Sequence, residues 1–344
     1  MGLVLGIESS CDETAAALVT TERQVLAQRI ASQDEAHAPY GGVVPEIAAR
    51  AHAERLAPMI DVVLKEAGVA LHELDAIAAT AGPGLIGGVM VGLVSAKALA
   101  MAADVPLMAI NHLEGHALSP RLADPALTFP YALLLVSGGH CQILRVDGVG
   151  EYRRFATTID DALGEAFDKT AKILGLGYPG GPAVERLALQ GDPDAVRLPR
   201  PLVGSGEPHF SFAGLKSAVL RAYETQQHSD ADLAASFQQA AIDCVTDRLA
   251  IALDAMGPVS ALVVAGGVAA NKAVRGALET LARARDLRFS APPPALCTDN
   301  AAMIAWAGCE RLPTGQNDPL DIAARPRWPL DPTAEPVRGA GVKG

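Results

Sequence analysis

Two histidines four residues apart, in His112-Leu-Glu-Gly-His116, offer the chain's clearest chemistry. On a helix, residues four apart share a face, so both imidazoles can converge on one cation. A hydrogen-bonded histidine pair would show the same spacing. A zinc-protease helix needs its glutamate directly after the first histidine. Here that position is Leu113, and the glutamate is Glu114, on another side of the helix. Two imidazoles leave a metal site incomplete, and the third donor should be an anionic oxygen. Asp299, in Cys297-Thr-Asp-Asn300 ahead of an Ala-rich run, is a candidate, and an ordinary helix N-cap fits the position as well.

Three glycine turns add a second chemistry. Ser137-Gly138-Gly139-His140 follows an apolar strand, Gly180-Gly181 follows Tyr178-Pro179, and Gly266-Gly267 precedes Val268-Ala-Ala-Asn271. Backbone N–H groups in such turns can approach a phosphate or a base closely, and a helix starting there adds its dipole. Each alone is a common turn; the three together favour a nucleotide site lined from several loops. The absence of GxxxxGK[ST] excludes a P-loop. Ser9, Asp12 and Glu13 at a hairpin tip could hold a metal-bound water or a phosphate, or be plain turn residues. Asp160, Asp161, Glu165 and Asp168, with Lys169, read as a solvated acidic helix face.

These residues need a frame. VLGIESSCDETAAALV and Leu133–Val146 both read as strand–turn–strand, and ALVVAGGVAANK reads as a third strand leading into a helix. Helical periodicity covers Val44–Glu66, Ile159–Leu174 and Asp232–Met256. Two halves opening with the same hairpin suggest a duplicated α/β fold, with the boundary in Leu122–Pro130, although unrelated hairpins would look alike. No charge occurs from Ala76 to Ala96, long enough to cross a bilayer. The glycines and proline clustered at Gly82–Gly88 favour a buried strand–loop–helix unit instead.

With 344 residues, 50% of them hydrophobic, the chain can build two domains. The net charge of −11 argues against nucleic-acid binding by the chain as a whole. Any RNA contact needs a local patch, for which Arg153, Arg154, Lys169 and Lys172, or Arg283, Arg285 and Arg288, are candidates, or else a partner. Five cysteines without a CxxC pair indicate neither a disulfide framework nor structural zinc, and a reducing compartment fits. Glu8 interrupts the first apolar run and no basic segment precedes it, so no signal peptide is expected and the expected location is cytoplasmic. From Pro326 the sequence is rich in proline and glycine and reads as a tail.

In order along the chain stand IESSCDETA, GGVVPEIAARAH, NHLEGHA, VSGGH, GEAFDKTAKILGLGYPGGP, FSFAGLK, AGGVAANK and CTDNAAMIA. These eight blocks resemble the threonylcarbamoyladenosine tRNA transferase family, the bacterial TsaD group once labelled O-sialoglycoprotein endopeptidase, from about Leu3 to Gly308. Ser9, Cys141, Ala213 and Lys272 are mild departures. The resemblance implies an α/β protein of duplicated actin-like ATPase (ASKHA, ribonuclease H-like) fold, with two lobes and a cleft between them. The lobes would be 1–126, joined by part of the C-terminal helical region, and 127–325, followed by a tail at 326–344. It implies transfer of threonylcarbamoyl from its adenylate to the exocyclic amine of the adenosine 3′ of the anticodon, in tRNAs reading codons that begin with A.

By the same resemblance His112, His116 and Asp299 are the metal ligands, with iron expected first and zinc second. Leu135, Val136, Ser137, Gly138, Gly139, Asp168, Gly181 and Asn271 are the adenylate-binding positions. Catalysis would rest on placing the amine and stabilising developing charge; Asp12 and His140 are the candidate general bases. Implied partners are tRNA, a smaller paralogue of the same fold (TsaB-like) and a separate P-loop ATPase (TsaE-like), with a homodimer also open and no membrane. The alternatives are a metallopeptidase, an actin-like small-molecule kinase or ATPase, and a non-catalytic scaffold.

Overall fold

The polar turn at residues 9–12 stands between two strands, β1 (Leu3–Glu8) and β2 (Glu13–Thr20), in which every residue but the first is buried. In the computed structural model, which describes residues 2–40 and 42–337, they pair antiparallel as the hairpin pattern requires. β3 (Val25–Ser32) continues the antiparallel sheet. A short helix α1 (Asp34–His37) and the long α2 (Pro45–Ala67) then lead to β4 (Ala76–Gly82) and β5 (Leu107–Asn111), both added in parallel. α3 (Ile86–Ala103) joins β4 to β5, and α4 (His112–Ala123) leaves directly from β5. The charge-free stretch is therefore a buried strand, a glycine loop and the start of α3, the only helix among the described residues long and apolar enough to cross a membrane.

The plan then repeats. β6 (Tyr131–Val136), β7 (Cys141–Gly148) and β8 (Glu151–Thr157) form an antiparallel meander. β9 (Ala261–Ala265) joins β6 in parallel, and β10 (Arg288–Ser290) joins β9. Between β8 and β9 lie α5 (Leu163–Ile173), α6 (Gly180–Ala188), α7 (Ala213–Glu224) and α8 (Asp230–Met256); α9 (Lys272–Ala284) precedes β10. Sheet orders β3-β2-β1-β4-β5 and β10-β9-β6-β7-β8 are the same arrangement, so the duplication suggested by the hairpins extends to all five strands. α5 starts later than the periodicity of Ile159–Leu174 suggests. Asp160 instead accepts hydrogen bonds from Ser211, Phe212 and Ala213, capping α7.

The chain divides into two units, residues up to Ala126 with Thr298–Pro332, and Leu127–Cys297 with the segment from Thr333. By this division the first unit takes Thr298–Pro332 from the C-terminal region, and the second keeps Leu127–Cys297 and the segment from Thr333. Two contacts explain this. α10 (Ala301–Arg311) lies across β1, where Gly6 has no side chain to hold it off. Residues 318–328 then run along β5 and β4, with Asp318 N donating to Leu107 O (2.8 Å) and Arg325 N to Ala81 O (2.7 Å). The expected tail from 326 is in part packed here: Asn111 Nδ2 donates to Trp328 O (2.9 Å), and Leu330 is buried. The rest of that segment, residues 338–344, lies outside the described residues.

Each unit has its own core. Leu5, Ile7 and Leu18 of the first sheet pack with Leu56, Ile60 and Val63 of α2. In the second, Leu134 and Ile143 pack with Phe167 of α5 and Phe237 of α8, whose rings meet edge to face at 5.0 Å. A Cβ on Gly6 would lie 2.5 Å from Ala305 N and also strike Ala301 O, both backbone atoms of α10. Gly6→Ala is therefore expected to lower stability by about 2–3 kcal/mol, as overpacking does when backbone must move. A thermal or urea unfolding midpoint unchanged from wild type would contradict this account of the packing.

Candidate functional site

α4 begins where β5 ends because Asn111 caps it, its side-chain oxygen accepting from Leu113 N at 2.9 Å. That places His112 at the first helical position and His116 one turn on, both buried at 7% and 0% exposure. α10 starts on a second cap, with Asn300 accepting from Met303 N at 2.9 Å. The cap is thus Asn300, and Asp299 before it is left to face α4. The two helices approach closely, since a Cβ on Gly115 would lie 2.8 Å from Ile304 Cδ1.

Asp299 Oδ1 is 3.0 Å from His116 Nε2 and 3.5 Å from His112 Nε2. His112, His116 and Asp299 form one group whose ligand atoms all lie within 4.8 Å of one another. Metal–ligand bonds of about 2.0–2.2 Å imply ligand–ligand edges of roughly 3–3.5 Å, so this donor set fits a first-row metal. Three donors leave further coordination positions open.

The other face of His112 is also occupied. Its Nδ1 lies 3.0 Å from Glu8 Oε2 and 3.1 Å from Ser10 Oγ. Glu8 Oε1 accepts from Ser10 N at 2.6 Å, and Oε2 accepts from Thr80 Oγ1 at 2.5 Å. A carboxylate surrounded by donors orients the ring and puts the Nδ1 proton toward itself, leaving Nε2 for Asp299 and His116. His116 differs, for its buried Nδ1 has no hydrogen-bond partner among the described residues. Sequence reasoning missed Glu8, Ser10 and Thr80. The available signal was a carboxylate closing an otherwise apolar strand.

Burial opposes charge on all three acid and base groups, but their mutual contacts win. Burial alone would lower His112, yet the charges of Asp299 and Glu8 raise it well above the ordinary range. Burial would raise Asp299 and Glu8, yet His112 holds Asp299 well below its usual value and Glu8 lower as well. At the hairpin tip, burial with Asp299 and Asp12 nearby pushes Glu13 up to about 10. Glu13 is hydrogen-bonded to Asp12, which is itself buried. Glu114 is committed elsewhere, 3.2 Å from Arg311.

The adenylate positions expected from the motifs lie in the second unit. Leu135 and Val136 are buried in β6. The following turn is closed by Ser137 N donating to His140 O (2.8 Å) and His140 N to Ser137 Oγ (3.1 Å). The Ser137 amide is therefore already used, and candidate donors from this turn narrow to Gly138 and Gly139, where an added Cβ would meet nothing within 4 Å. Gly181 is open in the same way, and Asp168 Oδ1 accepts from Gly180 N at 2.9 Å. Asn271 caps α9 through Val274 N (2.9 Å) and donates to Gln238 (3.0 Å).

Among solved structures, the chain resembles T. kodakarensis HypF, with a TM-score of 0.62 and 16% identity over 91% of this chain and 48% of that one. It also resembles component A of the Acidaminococcus fermentans (R)-2-hydroxyglutaryl-CoA dehydratase, with a TM-score of 0.54 and 16% identity over 91% and 100%. The duplicated sheets place the chain in the class of actin-like ATPase folds, here carrying a His–His–Asp donor set in the first unit. The TsaD family model, tRNA N6-adenosine threonylcarbamoyltransferase, matches residues 24–306. Relatives with that name from Erythrobacter litoralis and Novosphingobium aromaticivorans are 78% and 75% identical, each over the full length of both chains. The Zymomonas mobilis relative is 66% identical over 100% of this chain and 96% of its own. The chain belongs to the tRNA N6-adenosine threonylcarbamoyltransferase family.

The charge pattern sets a pH window for chelator-treated protein. His112, raised on folding, stabilises fully below its ordinary value of about 6.5 and loses that contribution as pH climbs through the raised value. Asp299, depressed on folding, stabilises fully above about 3.9 and loses its share as pH falls through the lower value. Stability should peak between those limits, and His112→Gln should flatten the alkaline decline. Parallel pH–melting curves for wild type and variant would contradict the assignment.

Proposed function

We infer that the chain transfers threonylcarbamoyl from threonylcarbamoyl-adenylate to the exocyclic amine of the adenosine 3′ of the anticodon, in tRNAs reading codons that begin with A. The observation that carries this is the His112–His116–Asp299 group, braced by Glu8, in a member of this family. The metallopeptidase alternative lacks its base, since Glu114 is held by Arg311. The kinase alternative calls for a carboxylate-built magnesium site, and this imidazole-rich group disfavours it.

In this reading His112 Nε2, His116 Nε2 and Asp299 Oδ1 hold one metal ion, iron first and zinc second. When bound, that ion supplies Lewis-acid stabilisation and orients the donor's oxygens. The donor lies along Leu135–Gly139, with Asp168, Gly181 and Asn271 as further contacts. The amine nitrogen bonds to the carbamoyl carbon as the bond to the AMP oxygen breaks, and the amine gives up a proton. Asp12, hydrogen-bonded to Glu13, and His140 are the candidate acceptors of that proton. A transfer assay with threonylcarbamoyl-adenylate, tRNA and the partner proteins, read by nucleoside analysis, tests the reading. His112→Ala and His116→Ala should each abolish transfer and most bound metal; full occupancy in both would overturn the ligand assignment.

Partners follow from charge and surface. Among the described residues, four of the seven candidate patch cations form ion pairs: Arg153 with Asp147, Lys169 with Asp161 and Glu165, Arg283 with Glu279 and Arg285 with Asp254. This supports basic surface for tRNA being supplied in an assembly with a smaller paralogue of the same fold and a separate P-loop ATPase, in the cytoplasm. α3 presents Ile86, Met90, Val94 and Met101 as an exposed apolar row, suited to the paralogue. Met90→Glu with Val94→Glu should weaken that association at least tenfold by calorimetry while leaving metal content unchanged; wild-type affinity would remove α3 from the interface.

A further inference from the structure

Gln33, His37 and His52, the last closing the GGVVPEIAARAH block, are buried at 2%, 1% and 0% exposure, and none belongs to the donor set. Val44 N donates to His37 Nδ1 (3.2 Å), and His37 Nε2 lies 3.2 Å from Gln33 Oε1. Gln33 Nε2 lies 3.5 Å from His52 Nδ1, which also lies 2.8 Å from Thr14 Oγ1. His52 Nε2 lies 3.0 Å from the carbonyl oxygen of Cys11. The two ends are backbone groups of fixed sense: an amide can only donate and a carbonyl can only accept. They therefore dictate every link between them. Both imidazoles must be neutral with the proton on Nε2, and the Gln33 amide must point its oxygen at His37 and its nitrogen at His52.

We propose that Gln33, His37 and His52 are positioning residues for the transfer reaction, a one-way hydrogen-bond chain that fixes the β1–β2 turn behind His112. Cys11 sits between Ser10, whose hydroxyl meets His112 Nδ1, and Asp12, paired with Glu13. The turn is also braced by the start of α3. Leu85 N donates to Ser10 O (2.8 Å), Ser9 Oγ donates to Gly88 O (2.9 Å), and a Cβ on Gly88 would come within 3.1 Å of the His52 ring. The turn is thus held by both α3 and His52. Removing the His52 donor frees the Cys11 carbonyl and lets residues 10–13 shift against the metal-ligand histidine. The expected adenylate contacts at Gly138, Gly139, Asp168, Gly181 and Asn271 belong to the other unit, so the adenylate end of the donor keeps them.

The proposal rests on the first unit's group being the reaction centre, and its test separates the two. Long-range nitrogen–proton NMR of histidine-labelled full-length protein near neutral pH should show His37 and His52 neutral and protonated at Nε2. Either residue protonated at Nδ1 or doubly protonated overturns the chain whatever the activity. In the reconstituted transfer assay, His52→Leu and Gln33→Leu should lower kcat about ten- to hundredfold with the donor KM unchanged, the scale of a small misplacement in a reacting centre. His52→Gln, which keeps a donor and an acceptor, should recover most of that loss. Wild-type kcat in Gln33→Leu overturns the proposal, and it remains decisive if His52→Leu does not fold. Wild-type protein inactive in the same assay, with the tautomers as expected, would count against the transfer reading and leave the hydrogen-bond chain standing.

Discussion

The approach of α10 to β1 at Gly6 is the contact on which the rest of the first unit depends. Only a residue without a side chain lets the helix backbone come this near, and Gly308 repeats the device, where a Cβ would lie 2.9 Å from both Val4 and Ala78. That seat fixes where α10 begins, and so where Asp299 stands relative to α4. A helix held even an ångström farther away would separate the carboxylate from two histidines more than 180 positions earlier in the chain. Stability and site geometry are here one property, because the same glycines serve both.

Within that frame, electrostatics settles the arrangement of protons. Four ionisable side chains, Glu8, His112, His116 and Asp299, are brought together out of water, where an unpaired charge would be costly. Each finds a partner of opposite character, apart from His116 Nδ1. The asymmetry is informative: His112 is pinned on both ring nitrogens, whereas His116 is fixed by Asp299 and the packing of its helix. The anchored imidazole belongs to the helix N-terminus capped by Asn111, and its anchor comes from β1, two strands away in the sheet. Sheet, helix start and carboxylate therefore converge on one ring.

The second unit repeats the sheet and differs in what it puts at the strand ends. Where β1 leads into Ser9–Asp12, β6 leads into Ser137–His140, a turn closed by its own serine and facing open space at two glycines. The same strand–turn–strand device thus carries acids in one half and bare backbone in the other. Fold likeness to HypF or to a dehydratase component is a statement about the sheets alone. Family membership rests on the chain-long identity with threonylcarbamoyltransferases.

Much of this was legible in the amino-acid order. Apolar runs on either side of polar turns determined both hairpins, and the four-residue spacing of His112 and His116 determined that they share a face. The glycine and proline cluster after Ala81 marked a strand–loop–helix unit rather than a membrane span. These features are local, set by backbone geometry over a few residues, so sequence alone suffices. Asp299 was ambiguous between ligand and cap until the structure gave the cap to Asn300. Glu8 showed only as a carboxylate closing an apolar strand, because it becomes an imidazole anchor only when a residue 104 positions away arrives beside it. The start of α5 was misjudged for a similar reason, since Asp160 is drawn off to cap a helix 52 residues on. The assignment of Thr298–Pro332 to the first unit likewise came from packing. Long-range pairing of buried polar groups depends on which elements meet, and only the tertiary structure decides that.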